Sequence, residues 1–314
     1  MLSEVDAQLR REQALALLAL TLVPGMGNRR ISQFVAMLDG HGLDVSDLAR
    51  GANGSFRRKI PGLVVQFDGV VEQVAGETLG QAEACIHRAE AAGLSWMHFL
   101  EGDYPRPLSA FLEGSAPPFL FLQGNKGLLA AAASAVVGTR SPSRTGIRAA
   151  RRASRTIVGA GMAVVSGGAT GIDWAAHDAA LQSGGSTVIF LPQGILPYEM
   201  SSGWRKAMAD GRLLLASEYL PDAPWRTYAA VSRNALIAAQ ARLVCVIEPR
   251  KQGGSLLTAR HAVDQGKQVL AEPLNALPAP LQSCAVPLET LAQALEKVQE
   301  VPFPPDRPGQ SRLF

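Results

Sequence analysis

Gly138-Thr139-Arg140 follows an apolar run that ends at Val137, and Ser166-Gly167-Gly168-Ala169-Thr170-Gly171 follows a second run that ends at Val165. At such turns glycine lets backbone amides face a ligand, threonine adds a hydroxyl, and arginine forks onto a phosphate. Two later turns repeat this chemistry, Arg233-Asn234 and Gly254-Ser255, with Thr258 one helical turn further on. Arg144 stands where a helix starts after the first turn, and a helix N-terminus favours anions. A single glycine turn only redirects the chain, whereas four turns of one kind favour a polyanion over a mononucleotide.

The charge pattern agrees with that chemistry. The chain has 314 residues, 30 Lys and Arg against 27 Asp and Glu, and a net charge of only +3. Yet no acid occurs between Glu113 and Asp173, while Lys126, Arg140, Arg144, Arg148, Arg151, Arg152 and Arg155 all do. A local positive field therefore exists within a nearly neutral total. The three cysteines, Cys85, Cys245 and Cys284, form no metal-ligand spacing and read as reduced thiols of a cytoplasmic protein. The apolar run Ala14–Leu22 is too short to span a bilayer and lacks a basic flank, so neither secretion nor a membrane partner is expected.

The elements that position these turns follow from periodicity. β-type runs at 134–137, 163–166, 187–191, 213–217, 243–248 and 268–271 alternate with helical segments near 146–159, 173–183, 199–210, 233–240 and 255–265. Nearly continuous apolar strands separated by helices predict an α/β fold, an extended Rossmann-like parallel sheet covered on both faces. Its ligand belongs at the carboxyl ends of the strands. Residues 1–100 read as a small helical domain of SAM or helix-hairpin-helix type, with helices from Arg11 to Leu22 and around Ile31–Leu38, and with turn signals at Pro24-Gly25-Met26-Gly27 and Pro61-Gly62. Residues 101–299 form the Rossmann-like domain, and 300–314 a flexible Pro-rich tail.

Each feature also has a plainer use. The Pro24–Gly27 turn presents amides to a phosphate in a helix-hairpin-helix, but such turns also merely join helices. Arg151 and Arg155 fit a solvated helix face, and His177 fits a hydrogen-bonded structural histidine. The second glycine turn is not GxGxxG in register, and no acid follows the next strand to hold a ribose, so no dinucleotide cofactor is expected. No catalytic or metal set is assigned. The rival from another class is a nucleotide-processing enzyme of phosphoribohydrolase type, with Glu248 and Asp173 doing acid-base work.

At Val136-Val137-Gly138-Thr139-Arg140-Ser141-Pro142-Ser143, Val165–Asp173 with Ala175-Ala176-His177, Ser217-Glu218-Tyr219, Arg233-Asn234 and Gly254–Ala259, the chain resembles the DNA-processing protein A family (DprA, also called Smf). The resemblance covers roughly residues 100–275, in order, and Leu22–Gly27 matches the family's helical domain. It implies a non-enzymatic recombination mediator in natural transformation that binds single-stranded DNA, commonly as a homodimer, with RecA as partner. Gly138, Thr139 and Arg140 fall on the family's phosphate-binding turn, and Gly167, Gly168 and Gly171 on its second glycine turn. Thr170 and Ala235 stand where the family commonly has basic residues, which removes two charge-assisted contacts. The stretch after Pro273 leaves no room for the winged-helix module that many members carry.

Gln310-Ser311-Arg312-Leu313-Phe314 resembles the QxxLF peptide that docks on bacterial sliding clamps. Gln310, Leu313 and Phe314 would be the anchors, and the clamp a further partner, making a clamp-tethered adaptor the third reading.

Overall fold

The computed structural model describes residues 4–51, 67 and 69–299. The turn at Pro61-Gly62 and the tail with Gln310, Leu313 and Phe314 lie outside the described residues. Contacts divide the described residues into two units, one running through Tyr104 and including Glu113–Phe121, the other made of Pro105–Leu112 and residues 122–299.

In the first unit, helices α1 (Glu4–Leu22), α2 (Asn28–Gly40) and α3 (Leu79–Ala91) bury Leu17, Leu20, Ile31, Phe34, Leu38 and Ile86. Helix α1 reaches back to Glu4, the first described residue, seven residues before the predicted Arg11. The turn joining α1 and α2 is anchored by buried Val23 and Met26, with Gly25 at φ 81°. Short strand β1 (Ser95–His98) also belongs here. Four residues are too few for a periodic signal, and β1 was not foreseen.

The second unit contains the predicted α/β alternation. Its strands are β3 (Ala133–Gly138), β4 (Ala163–Ser166), β5 (Thr187–Phe190), β6 (Leu213–Ser217), β7 (Leu243–Ile247), β8 (Gln268–Glu272) and β9 (Ala285–Pro287). All pair in parallel, with Ala135 beside Val165 on one side of β3 and Val137 beside Val246 on the other. Strand β2 (Phe119–Gly124) precedes them in the chain, and within this unit the strand order is β6-β5-β4-β3-β7-β8-β9. The chain therefore builds outward from β3 through β4, β5 and β6, then returns to lay β7 on the other side of β3. That reversal is a switch point, and a crevice opens there at the strand carboxyl ends.

The crossovers are α4 (Arg144–Gly159), α5 (Ile172–Gln182), α6 (Ser202–Ala209), α7 (Thr227–Gln240) and α8 (Gly254–Asp264), and α9 (Leu291–Gln299) follows β9. Small side chains let α4 and α5 lie close to the sheet. Ala149, Ala153 and Ile157 of α4 share one core with Ala175 and Ala176 of α5 and with Val136, Val164, Cys245 and Ile247 of the strands.

His177 of α5 is wholly buried and lies 2.7 Å from the Thr187 hydroxyl, which itself donates to the Val164 carbonyl. With that hydroxyl proton committed, His177 Nδ1–H is the donor. Burial, helped by nearby Arg233, lowers the His177 pKa to about 3, so the ring stays neutral. In the unfolded chain it binds a proton near pH 6.5. The unfolded state thus takes up more protons on acidification, and stability present above pH 6.5 is lost as pH falls toward 3. This group alone should cost about 2 kcal/mol between pH 7 and 5. Urea midpoints of the parent and His177→Asn proteins at the two pH values measure that share as a difference; equal pH dependence would disprove it.

Candidate nucleic-acid interface

The crevice at the switch point is a groove of about 580 Å³. One wall is the turn after β3, where Gly138, Thr139 and Arg140 lie. The loop after β7 supplies Arg250 and Lys251, the start of α8 supplies Gly254 and Ser255, and α7 forms the remaining side. A smaller hollow of about 180 Å³ adjoins it, lined by Gly167, Gly168, Thr170 and Tyr198, and Arg140, Trp225 and Arg233 border both cavities. Three of the sequence-predicted turns, at Gly138, Gly167 and Gly254, thus share one edge of the sheet, and Arg233 reaches it from within α7.

The helix starts differ in what they offer an anion. Helix α4 is closed: Ser143 Oγ accepts the Gly146 amide, and the Glu248 carboxylate takes both the amide (2.8 Å) and the hydroxyl of Ser143. The N-terminus of α4 expected to attract a phosphate near Arg144 already holds a carboxylate, and Arg144 lies outside the groove lining. Glu248 adopts φ 45° to make this cap. By contrast the residues that precede α7 and α8, Arg226 and Gly253, provide no side-chain cap to the first amides of these helices. Asn234 Nδ2 and Thr258 Oγ1 both donate to the Gly254 carbonyl, at 3.2 and 3.4 Å, and so fix where α8 starts.

Arg233 does not begin a helix, as its neighbourhood in the sequence implied. Helix α7 starts six residues earlier, at Thr227, and Arg233 lies on its buried face, 4% exposed. Its Nη1 donates to the Phe190 carbonyl at 2.6 Å. The opposing charge is Asp173, which accepts the Gly167 amide at 3.2 Å. Burial drives both groups toward neutrality: the arginine falls to about 10, and the Asp173 carboxyl is raised although Arg233 and three hydrogen bonds oppose the shift. Arg233 is thus a strut that ties α7 to the ends of β4 and β5. Ser166 is likewise internal, its hydroxyl donating to the Val136 carbonyl at 2.7 Å.

The glycines serve this packing as well. A β-carbon on Gly167 would stand 1.9 Å from Arg233 Nη1, and one on Gly138 would stand 2.2 Å from the Ile247 carbonyl oxygen. Gly171 combines φ 86° with contact against the Thr139 carbonyl, a position that a β-carbon would strain twice. Gly167→Ala is expected to cost 3 kcal/mol or roughly that, because the displaced guanidinium has no second site. A urea midpoint matching the parent's would refute this.

Four exposed cations line the groove: Arg140, Arg250, Lys251 and Arg260. None of them forms an ion pair among the described residues. Arg250 Nε donates to Thr139 Oγ1 at 3.1 Å, and the Arg140 guanidinium lies 5.7 Å from the Trp225 ring centroid. Trp225 is 45% exposed and Val231 47% exposed, both on the groove, with Tyr228 69% exposed beside them on α7. Sequence reasoning passed over Trp225, Arg250, Lys251 and Arg260. The available signals were aromatic residues interleaved with a basic one in Trp225-Arg226-Thr227-Tyr228, and the basic pair in the loop after β7.

The carboxylates of the enzyme reading are both engaged, Glu248 on Ser143 and Asp173 on Gly167 and Arg233. Among the described residues no cluster of three His, Cys, Asp or Glu is placed to hold a metal, and no helix is long and apolar enough to cross a membrane.

A parallel sheet reversed about β3, with a cationic, aromatic-edged groove at the reversal, defines a Rossmann-like protein whose crevice lies at the switch point. The profile of DNA recombination-mediator protein A matches residues 95–302. The chain belongs to that family. It is 34% identical over 220 residues to Protein Smf of Escherichia coli, an alignment covering 66% of this chain and 58% of that protein. To the DNA processing protein DprA of Streptococcus pneumoniae it is 35% identical over 175 residues, covering 55% of this chain and 61% of the other. The chain therefore spans about three fifths of these relatives' length. In three dimensions it is similar to the X-ray structure of Streptococcus pneumoniae DprA, with a TM-score of 0.60 at 24% identity over 97% of this chain and 100% of that one. The DNA processing protein A of Helicobacter pylori, described for its single-stranded DNA binding mode, aligns with a TM-score of 0.54 at 21% identity over 66% of this chain and 96% of that one.

Proposed function

We propose that the groove binds the phosphodiester backbone of single-stranded DNA and that the protein is a non-enzymatic, cytoplasmic recombination mediator, helping a RecA recombinase onto DNA taken up in transformation. The carrying observation is that groove cations without carboxylate partners adjoin exposed Trp225 and Val231. Cations track a backbone, while an aromatic face stacks bases of any sequence, and a single strand offers both. Backbone contact positions the strand without reading it, so affinity is largely sequence-independent. The relatives' names support the same reading.

Mobility shifts with single- and double-stranded oligonucleotides across salt, with and without RecA, test this. Four groove cations set a slope of log affinity against log salt of about −3 for a single strand. Binding that ignores salt would overturn the groove assignment, and release of free base from nucleoside monophosphates would replace it with the enzyme reading. Homodimerisation is read by light scattering. Clamp docking through Gln310, Leu313 and Phe314 is read by deleting residues 310–314 and following co-purification with the clamp.

A further inference from the structure

We propose that the outward face of α4 is a second track for the same single strand, continuing the backbone beyond the groove; the inference rests on the single-strand reading of that groove. Arg144, Arg148, Arg151 and Arg155 recur at steps of four, three and four residues. On a helix that spacing confines them to an arc of about 60° and a length of about 16 Å. The opposite face, with Ala149, Ala153 and Ile157, packs in the core. The stripe therefore points away from the sheet; Arg144, Arg148 and Arg155 are exposed, and Arg151 is half-buried.

A merely solvated helix face ordinarily mixes signs, and α3 does so with Glu83, Arg88 and Glu90. Helix α4 has no acid at all. None of the four stripe arginines forms an ion pair among the described residues, whereas neighbouring Arg152, off the stripe, is held by Glu272 at 2.5 Å. The other carboxylate at this end, Glu248, is turned onto Ser143. Stacked like charges at i, i+4 spacing destabilise a helix, and Arg144 in the first turn opposes the dipole. The fold gains nothing from the arrangement, and a polyanion offsets it.

The chemistry fits phosphodiesters in particular. All four are arginine rather than lysine, which suits forked contact with phosphate oxygens. The stripe starts at Arg144, four residues after the groove cation Arg140, so a strand leaving the groove meets it directly. Its length matches at most about five phosphates at the 3.4 Å spacing of a duplex strand, and fewer in an extended one.

The test is the triple variant Arg148→Gln, Arg151→Gln, Arg155→Gln, which keeps good helix formers at two exposed positions and one half-buried one. Affinity is measured across salt for oligonucleotides of about six and about twenty nucleotides, short enough and long enough to separate groove from track. The longer one should lose about 2 from its salt slope, and up to about a hundredfold in affinity at 0.1 M salt, while the shorter changes less than about twofold. Unchanged binding of the longer oligonucleotide overturns the track, as does an equal loss at both lengths, which would mean a general field. Arg140→Ala is measured alongside on the six-nucleotide probe. If it leaves that probe unaffected, the groove reading fails and the track falls with it; if it weakens that probe, the groove reading stands whatever the triple variant does.

Discussion

The Arg233→Ala protein should melt roughly 6 to 20 °C below its parent, the equivalent of about 3 to 5 kcal/mol for a unit of this size. The guanidinium holds the Phe190 carbonyl at 2.6 Å and faces the Asp173 carboxylate inside the fold. Removing it leaves a cavity, an unpaired carbonyl and an uncompensated buried negative charge, and the last is the most costly. The pH dependence identifies the cause. Asp173 is already pushed up by burial, with Arg233 opposing the shift. Without that opposition its folded pKa rises further above the unfolded value, so the unfolded state binds fewer protons in this range. Stability lost at neutral pH is then partly recovered as pH falls toward that raised pKa. Adding Asp173→Asn should recover part of the loss at pH 7 as well. A melting temperature within about 2 °C of the parent would show that the pair contributes little. Loss of DNA binding in Arg233 variants is thus expected to come from a collapsed scaffold.

Trp225→Ala and Arg140→Ala should fail in a different way, with melting nearly unchanged because both side chains are exposed. Losing a stacking face costs about 1 to 3 kcal/mol per base, a factor of about 5 to 150 in affinity, and leaves the salt slope as it was. Losing one phosphate cation lowers the slope by about 0.7 and weakens all sequences alike. The two cross at 5.7 Å, so Arg140→Ala also frees the ring and the double variant should lose less than the sum. Fluorescence anisotropy with a labelled single strand over a salt series separates the two. Equal slopes for Arg140→Ala and the parent would remove Arg140 from the backbone contacts.

The alternation of apolar runs and helical segments was legible from the local pattern of residues along the chain. β4 and β6 fall on their predicted residues, 163–166 and 213–217, because a strand buried on both faces must be apolar throughout. The conjunction of the turns at Gly138, Gly167 and Gly254 was legible because strands wound in parallel carry their following turns to one edge, whereas Arg233-Asn234 proved to lie inside α7. β1 and β9, with four and three residues, had too little pattern to register.

Which polar residues at that edge face solvent was not legible, because local sequence does not encode what a side chain meets across the sheet. Arg233 and Arg140 read alike along the chain. One points inward because Asp173 and the Phe190 carbonyl, 60 and 43 residues away, wait for it. Glu248 resembled a catalytic acid until its position 105 residues from Ser143 in sequence proved to be a helix cap. Trp225, in the loop before α7, stands out only once the fold sets it against Arg140. Local patterning settled the strands, the helices and the edge where they end; long-range packing and the desolvation cost of buried charge settled which residues at that edge are left to meet a ligand.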